Sequence, residues 1–291
     1  MKKIAILSSS PLMLMLAFSL KKKGNDVTIF DQSRNIGGAW TWFEEYLNKY
    51  ESYVSKYSNA VVPLNKKEDR FIEIMNKRLK KNYNVKVTKT KKDIITNFKI
   101  SNNYIYDFSK FYKKFLPQLK IKNVTVNKVE TKKNEVIINN KFIFNKVYHP
   151  SFFGVKKIII KNKNIDSPFK LIVSEHISIL AKKFKLKNFY YSDFFDDFFD
   201  RVKIDKQKSF STLTTRLTFA MKGTPVNKIK KKLNRFVERK NIIKVTKTKF
   251  NNYYRKPQQL KNLINALKGS NIIYVNTTQF VRGFYYLRKI L

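Results

Sequence analysis

Residues 3–40 read KIAILSSSPLMLMLAFSLKKKGNDVTIFDQSRNIGGAW, and this stretch decides the fold. The apolar run Ile4 to Leu7 reads as a buried strand, and Ser8-Ser9-Ser10-Pro11 as a tight turn. An apolar helix follows from about Leu12 to Lys23, ended by Gly24 and Asn25. Val27 to Phe30 form a second buried strand, closed by Asp31. Strand, turn, helix and strand within about thirty residues, with an acid ending the second strand, make the βαβ unit that binds dinucleotides. Backbone N–H groups at a helix N-terminus hold a pyrophosphate, which places the turn residues Ser8, Ser10, Pro11 and Leu12 at that group. The acid accepts the ribose hydroxyls, which assigns that role to Asp31, with Gln32 beside it.

A few residues past the acid comes Arg34-Asn35-Ile36-Gly37-Gly38-Ala39-Trp40. With this segment the N-terminus resembles the FAD-dependent oxidoreductases related to amine oxidases, phytoene desaturases and UDP-galactopyranose mutases. In that family an Arg-x-x-Gly-Gly segment approaches the flavin, so the resemblance implies FAD contacts from Arg34, Gly37, Gly38, Ala39 and Trp40. Glycines there let the backbone pass close to a cofactor without a side chain in the way.

The chain also departs from the family. The glycine fingerprint falls at Ser8, Ser10 and Met13, and none of the three is glycine. Two replacements are small and can still donate to a phosphate. Met13 stands where a glycine lets the helix pack closely on the strand, and it is expected to push the helix outward.

The 291 residues suffice for an α/β domain with a second lobe, and 43% apolar content is ample for a core. With no cysteine, disulfides, thiolate metal sites and a cysteine-linked flavin are excluded, which fits a reducing, cytoplasmic setting. The net charge of +42 comes from lysines spread along the whole chain among Asn, Ile, Phe and Tyr. No helix-turn-helix, zinc finger or RNP-like segment accompanies it, so it reads as general composition rather than specific nucleic-acid binding. Such a charge also attracts anionic substrates and permits peripheral contact with anionic lipid. The N-terminal Met-Lys-Lys and apolar run imitate a targeting segment, but three serines and a proline interrupt it and no cleavage site follows. No other apolar stretch is long enough to span a bilayer.

Further along, Asn59–Leu64 reads as an extended connector, and Glu68–Leu79 and Phe108–Leu119 as helices. Val124–Val129, Glu135–Ile138 and Lys141–Val147 form a hairpin series turning at Asn139-Asn140. It resembles the family's three-stranded meander. The resemblance implies a backbone contact to adenine at Val126 and places His149, Pro150 and Ser151 near the cofactor's edge. Lys170–Val173 and Asn188–Tyr191 read as strands with a helix at Ile177–Phe184 between or beside them. Arg201–Ile204 and Thr212–Met221 read as paired strands, and Asn227–Arg239 as an amphipathic helix. In DFFDDFFD, Asp193–Asp200, the phenylalanines are expected to pack and the acids to face solvent. Gln258–Leu267 reads as a helix ended by Gly269, Asn271–Val275 as a buried strand, Thr277–Gly283 as a turn and Phe284–Leu291 as a helix. Asn276 and Thr277 occupy the place of the family's Gly-Asp pair at the ribityl chain.

The expected architecture is α/β: a Rossmann-type FAD/NAD(P)-binding domain with a second α+β substrate lobe. The expected boundaries are 1–161 for the dinucleotide domain, 162–250 for the substrate lobe and 251–291 for a return to the first domain. The resemblance implies hydride transfer from a small, possibly anionic molecule to flavin. A UDP-sugar mutase-like flavoprotein and a non-catalytic binding protein are the alternatives. His149 and His176 are candidate proton carriers, and Arg201 and Arg216 a candidate clamp for an anionic substrate. No metal spacing, Ser-His-Asp arrangement or P-loop is present.

Overall fold

The computed structural model describes residues 1–32, 59–64, 69–90, 94–95, 102–150, 154–185, 190–193, 197–206, 211–218 and 221–275. The chain opens with β1 (Lys3–Ile6), α1 (Pro11–Lys22) and β2 (Asp26–Asp31). Next come β3 (Asn59–Leu64), α2 (Asp69–Tyr83), β4 (Lys86–Thr90), β5 (Ile94–Ile95) and β6 (Asn102–Asp107). α3 (Ser109–Phe115) leads through a short 3-10 turn to β7 (Lys120–Asn123). A run of short strands follows: β8 (Lys128–Thr131), β9 (Val136–Ile138), β10 (Phe142–Phe144), β11 (Lys146–His149), β12 (Lys157–Ile160) and β13 (Lys163–Ile165). The second half holds β14 (Phe169–Ala181), β15 (Tyr190–Asp193), β16 (Phe199–Lys206), β17 (Ser211–Leu217) and α4 (Val226–Leu233). It ends with β18 (Ile242–Arg255), α5 (Pro257–Leu267) and β19 (Ile272–Tyr274).

The first sheet is parallel throughout, in the order β19-β11-β1-β2-β7. Both its faces are covered, which is why β1 and β2 carry continuous apolar runs instead of alternation. On one face lies α1, apolar all round and buried from Pro11 to Leu20 beneath Met75 and Leu79 of α2 and Phe111 and Phe115 of α3. On the other, Ala5, Phe30 and Val147 meet Leu260, Leu263 and Leu267 of α5 and the second sheet's Val129, Val136 and Ile138. Gly24 ends α1 with φ +80, a left-handed conformation that a side chain would strain, and its N–H bonds to Lys21 O.

The second sheet runs β10-β9-β8-β12-β13, and β8, β9 and β10 form the expected antiparallel meander. Asn139 and Asn140 turn with φ 52 and 57, as a two-residue primed turn requires. Of the predicted strand Val124–Val129 only Lys128 and Val129 are in a strand, because the ladder stops at Asn123 and resumes at Lys128. The side chain of Asn139 holds the gap, accepting from Asn127 and Lys128 N–H and donating to Thr125 O.

The third sheet has the order β18-β14-β17-β16-β15-β5, antiparallel except for the β15/β5 pair. β3, β6 and β4 make a small fourth sheet. The helix expected at Ile177–Phe184 is instead the end of β14 followed by a turn. Ile177, Ile179 and Ala181 alternate onto one face, and β17 and β18 pair with this strand from both sides. α4 covers that face with Ile229 and Leu233, and it stops at Leu233, short of the expected Arg239. In the DFFDDFFD run Phe199 is fully buried in this core, Phe198 packs against it and Asp197 is exposed. No helix among the described residues is long and apolar enough to cross a membrane. The molecule is a mixed α/β protein built on a Rossmann-type parallel sheet, with a six-stranded, mainly antiparallel sheet formed largely by the later part of the chain.

Candidate nucleotide-binding site

β1 and β2 end side by side, so the turn after one meets the acid that closes the other. Leu7 N–H still bonds to Tyr148 O of β11, and the chain then leaves the sheet. Ser9, wholly buried, donates its N–H to Asp31 Oδ2 at 2.8 Å. Ser10 donates its N–H to Ser8 Oγ at 3.1 Å. Pro11 opens α1 with no N–H to give, and its fixed φ suits the first helical position. Ser8, Ser10, Pro11, Leu12, Asp31 and Gln32 are therefore gathered at one edge of the parallel sheet.

The donor inventory tests whether a dinucleotide fits. Two turn N–H groups are engaged internally, one by Ser8 and one by Asp31. Leu12 and Met13, in the first turn of α1, have N–H groups with no partner within the helix. Ser10 makes no side-chain cap, and its Oγ is buried without a hydrogen-bond partner. Two helix N–H groups and a hydroxyl without a hydrogen-bond partner are the donors left in this turn, fewer than a glycine loop offers, and Leu12, Met13 and the Ser10 hydroxyl are all buried. Asp31 remains partly exposed at the strand end.

Val126 lies on the connector after β7, half-buried against the second core. Its segment is drawn to the same edge, since Val124 N–H bonds to Asp31 O. Arg34, Gly37, Gly38, Ala39, Trp40, Asn276 and Thr277 lie outside the described residues. Ser9 was not singled out from the sequence, because its part is played by its backbone N–H, which no residue identity reports.

His149 ends β11 and accepts Val275 N–H at its carbonyl. Burial holds its imidazole down at about 3, so it stays neutral near pH 7. The sign of the linkage follows. The unfolded chain binds the proton near pH 6.5 while the folded one does not, so this group costs nothing above that pH. Between about 6.5 and about 3 it withdraws stability as pH falls, approaching about 1.4 kcal/mol per pH unit. Urea midpoints at pH 7 and 5.5 should therefore diverge in the native protein and draw together in His149→Asn. Equal divergence in both would reject this assignment. His176 sits in β14, its Nε2 3.1 Å from Ser174 Oγ, far in sequence and in a different sheet from the turn.

No protein-family model matches the chain, and no curated protein does. Among solved structures the chain is similar to the Diels-Alderase PyrE3 of pyrroindomycin biosynthesis, with a TM-score of 0.50 and 8% identity over 88% of this chain. It spans 57% of that enzyme's length. A flavoprotein/dehydrogenase from Cytophaga hutchinsonii aligns with TM-score 0.49 and 8% identity, covering 99% of this chain and 75% of the other. The p-nitrophenol 4-monooxygenase PnpA from Pseudomonas putida aligns with TM-score 0.47 and 10% identity, covering 88% and 70%.

Proposed function

We propose that this chain binds FAD along the edge where β1 and β2 end, and acts as a flavin-dependent oxidoreductase on a small molecule. The observation that carries the reading is the Ser9 N–H to Asp31 bond, which sets the helix N-terminus and the ribose-accepting acid at one edge. In this reading Leu12 and Met13 N–H and Ser10 Oγ hold phosphate oxygens, and Asp31 takes the ribose. A bound flavin supplies hydride acceptance, and the protein supplies orientation and electrostatics. The parallel β19-β11-β1-β2-β7 order, with a meander leaving and rejoining it, supports the same reading.

The test is the visible spectrum of the purified protein after incubation with FAD and removal of excess. Flavin bands are expected, and they should be lost in Asp31→Ala and in a Gly37→Val, Gly38→Val double variant. A protein that retains no FAD under any condition sinks the flavoenzyme reading and favours a non-catalytic binding protein on the same fold.

A further inference from the structure

The cations of this chain are not evenly placed. Residues 182–185 and 222–241 hold eleven lysines and arginines and one acid in 24 residues, against 62 and 20 in the whole chain of 291. Ten of those eleven cations are exposed. The two segments adjoin, since Lys185 N–H bonds to Phe236 O at 2.8 Å and Lys182 N–H to Asn241 O at 2.9 Å. Along α4, Ile229 and Leu233 are buried in the core beneath, while Lys228, Lys231, Lys232 and Arg235 follow at helical spacing on the solvent side. The acid is Glu238, 3.2 Å from Lys240 Nζ. Lys232 lies over the Phe198 ring, and the exposed Asp197 next to Phe198 is one more acid at the border.

This face is held in place. Glu175 accepts Gly223 N–H and Lys247 donates to Thr224 O, so the turn into α4 is clamped to the sheet. Like charges three and four apart on one helix repel, and a surface of negative charge relieves that repulsion. A fixed array also loses little order when it meets such a surface. Phe184 and Phe236, the aromatic residues of the two segments, are buried, so no ring is offered for a base to stack on. Pro225 and Val226, at the head of α4, are exposed between Lys222 and Lys228. Apolar atoms flanked by lysines suit the headgroup layer of a bilayer, where lipid phosphates and acyl carbons meet.

We propose that the α4 face, with the turn after β14, docks on a membrane surface rich in anionic phospholipid. The contact is electrostatic and peripheral, because the apolar side of α4 stays in the protein's own core. The inference is independent of flavin, because no residue of the β1–α1 turn takes part.

Sedimentation of the full chain with vesicles at about 0.1 M salt tests it, using phosphatidylcholine alone and phosphatidylcholine with about one-third phosphatidylglycerol. Saturable binding to the mixed vesicles is expected, and much weaker binding to the neutral ones. Lys228→Gln, Lys231→Gln and Lys232→Gln together should weaken it about a hundredfold. Lys110→Gln, Lys113→Gln and Lys114→Gln remove the same charge from the exposed side of α3. They should weaken it less than about threefold, since charges beyond a Debye length of the membrane are screened. Urea curves check that both variants are folded. Equal loss in the two variants overturns the proposal, because the attraction would then come from net charge alone. Absence of binding to the mixed vesicles, or equal binding to the neutral ones, overturns it too. Duplex DNA that strips the protein from the vesicles at equal phosphate concentration also overturns it and assigns the face to nucleic acid. FAD retention by the same samples is read separately, so either conclusion can fail without the other.

Discussion

Met13→Gly is expected to destabilise the protein by about 3–6 kcal/mol, although it restores a fingerprint glycine. Met13 is wholly buried in the core between the parallel sheet and α2 and α3. Removing a buried methionine side chain loses its transfer energy and leaves a cavity, together about 2–5 kcal/mol for truncation to alanine. Glycine inside a helix adds about 1 kcal/mol. Urea denaturation of Met13→Ala and Met13→Gly beside the native protein separates the two contributions. A loss below about 1 kcal/mol for glycine would mean the neighbours close the space at little cost, and the packing argument would fail. The substitution is not expected to create a glycine-loop phosphate site, because Ser8 Oγ still caps Ser10 N–H.

The same helix shows what a sequence discloses. β1, α1 and β2 were legible because an apolar helix flanked by two apolar strands has one stable arrangement, a parallel pair with both faces covered. The Asn139-Asn140 turn was legible too, since few residues accept positive φ at two successive positions. β14 was misread at Ile177–Phe184, where a short apolar run suits helix and strand equally and only its pairing with β17 and β18 decides. β18 was missed altogether: the centre of IIKVTKTKFNNYYR is an alternation of threonine and lysine, and its strand state comes from the ladder with β14. At the β1–α1 turn, the place of Asp31 at the end of β2 was legible, but the engagement of Ser9 and Ser10 N–H groups was not. Both bonds depend on where a carboxylate and a hydroxyl fall in space. Arg201 and Arg216 were paired in the sequence as a candidate clamp, and the strand register sets them opposite each other on β16 and β17, with His176 of β14 next in the row.

The second large effect is expected on the other side of that sheet, from Lys247→Met. Glu175 is almost fully buried, and its Oε2 accepts from Lys247 Nζ at 2.8 Å and from Gly223 N–H at 2.8 Å. Lys247 also donates to Thr224 O at 3.0 Å, so the pair fastens the turn ahead of α4 onto β14 and β18. Burial pushes the Glu175 carboxyl up, but the Lys247 and Gly223 hydrogen bonds and the charges of Lys247 and Lys249 outweigh it and hold the group below its ordinary value. Glu175 therefore contributes stability above the ordinary carboxylate range and loses it as pH falls through its lowered folded pKa. Lys247→Met leaves a buried carboxylate with one N–H partner, and breaking a buried pair in this way costs about 3–5 kcal/mol. Lys247 is about one-fifth exposed, so the lower end of that range is expected. The variant's deficit should shrink near about pH 4, where the stranded carboxyl takes a proton and the native pair loses its own advantage. Glu175→Leu combined with Lys247→Met removes both charges and should be much less harmful than Lys247→Met alone. Urea curves for the native protein, both single variants and the double one, at pH 7 and near pH 4, close the cycle. If the double variant is as unstable as the sum of the singles, the two residues act independently and Glu175 is not held by Lys247.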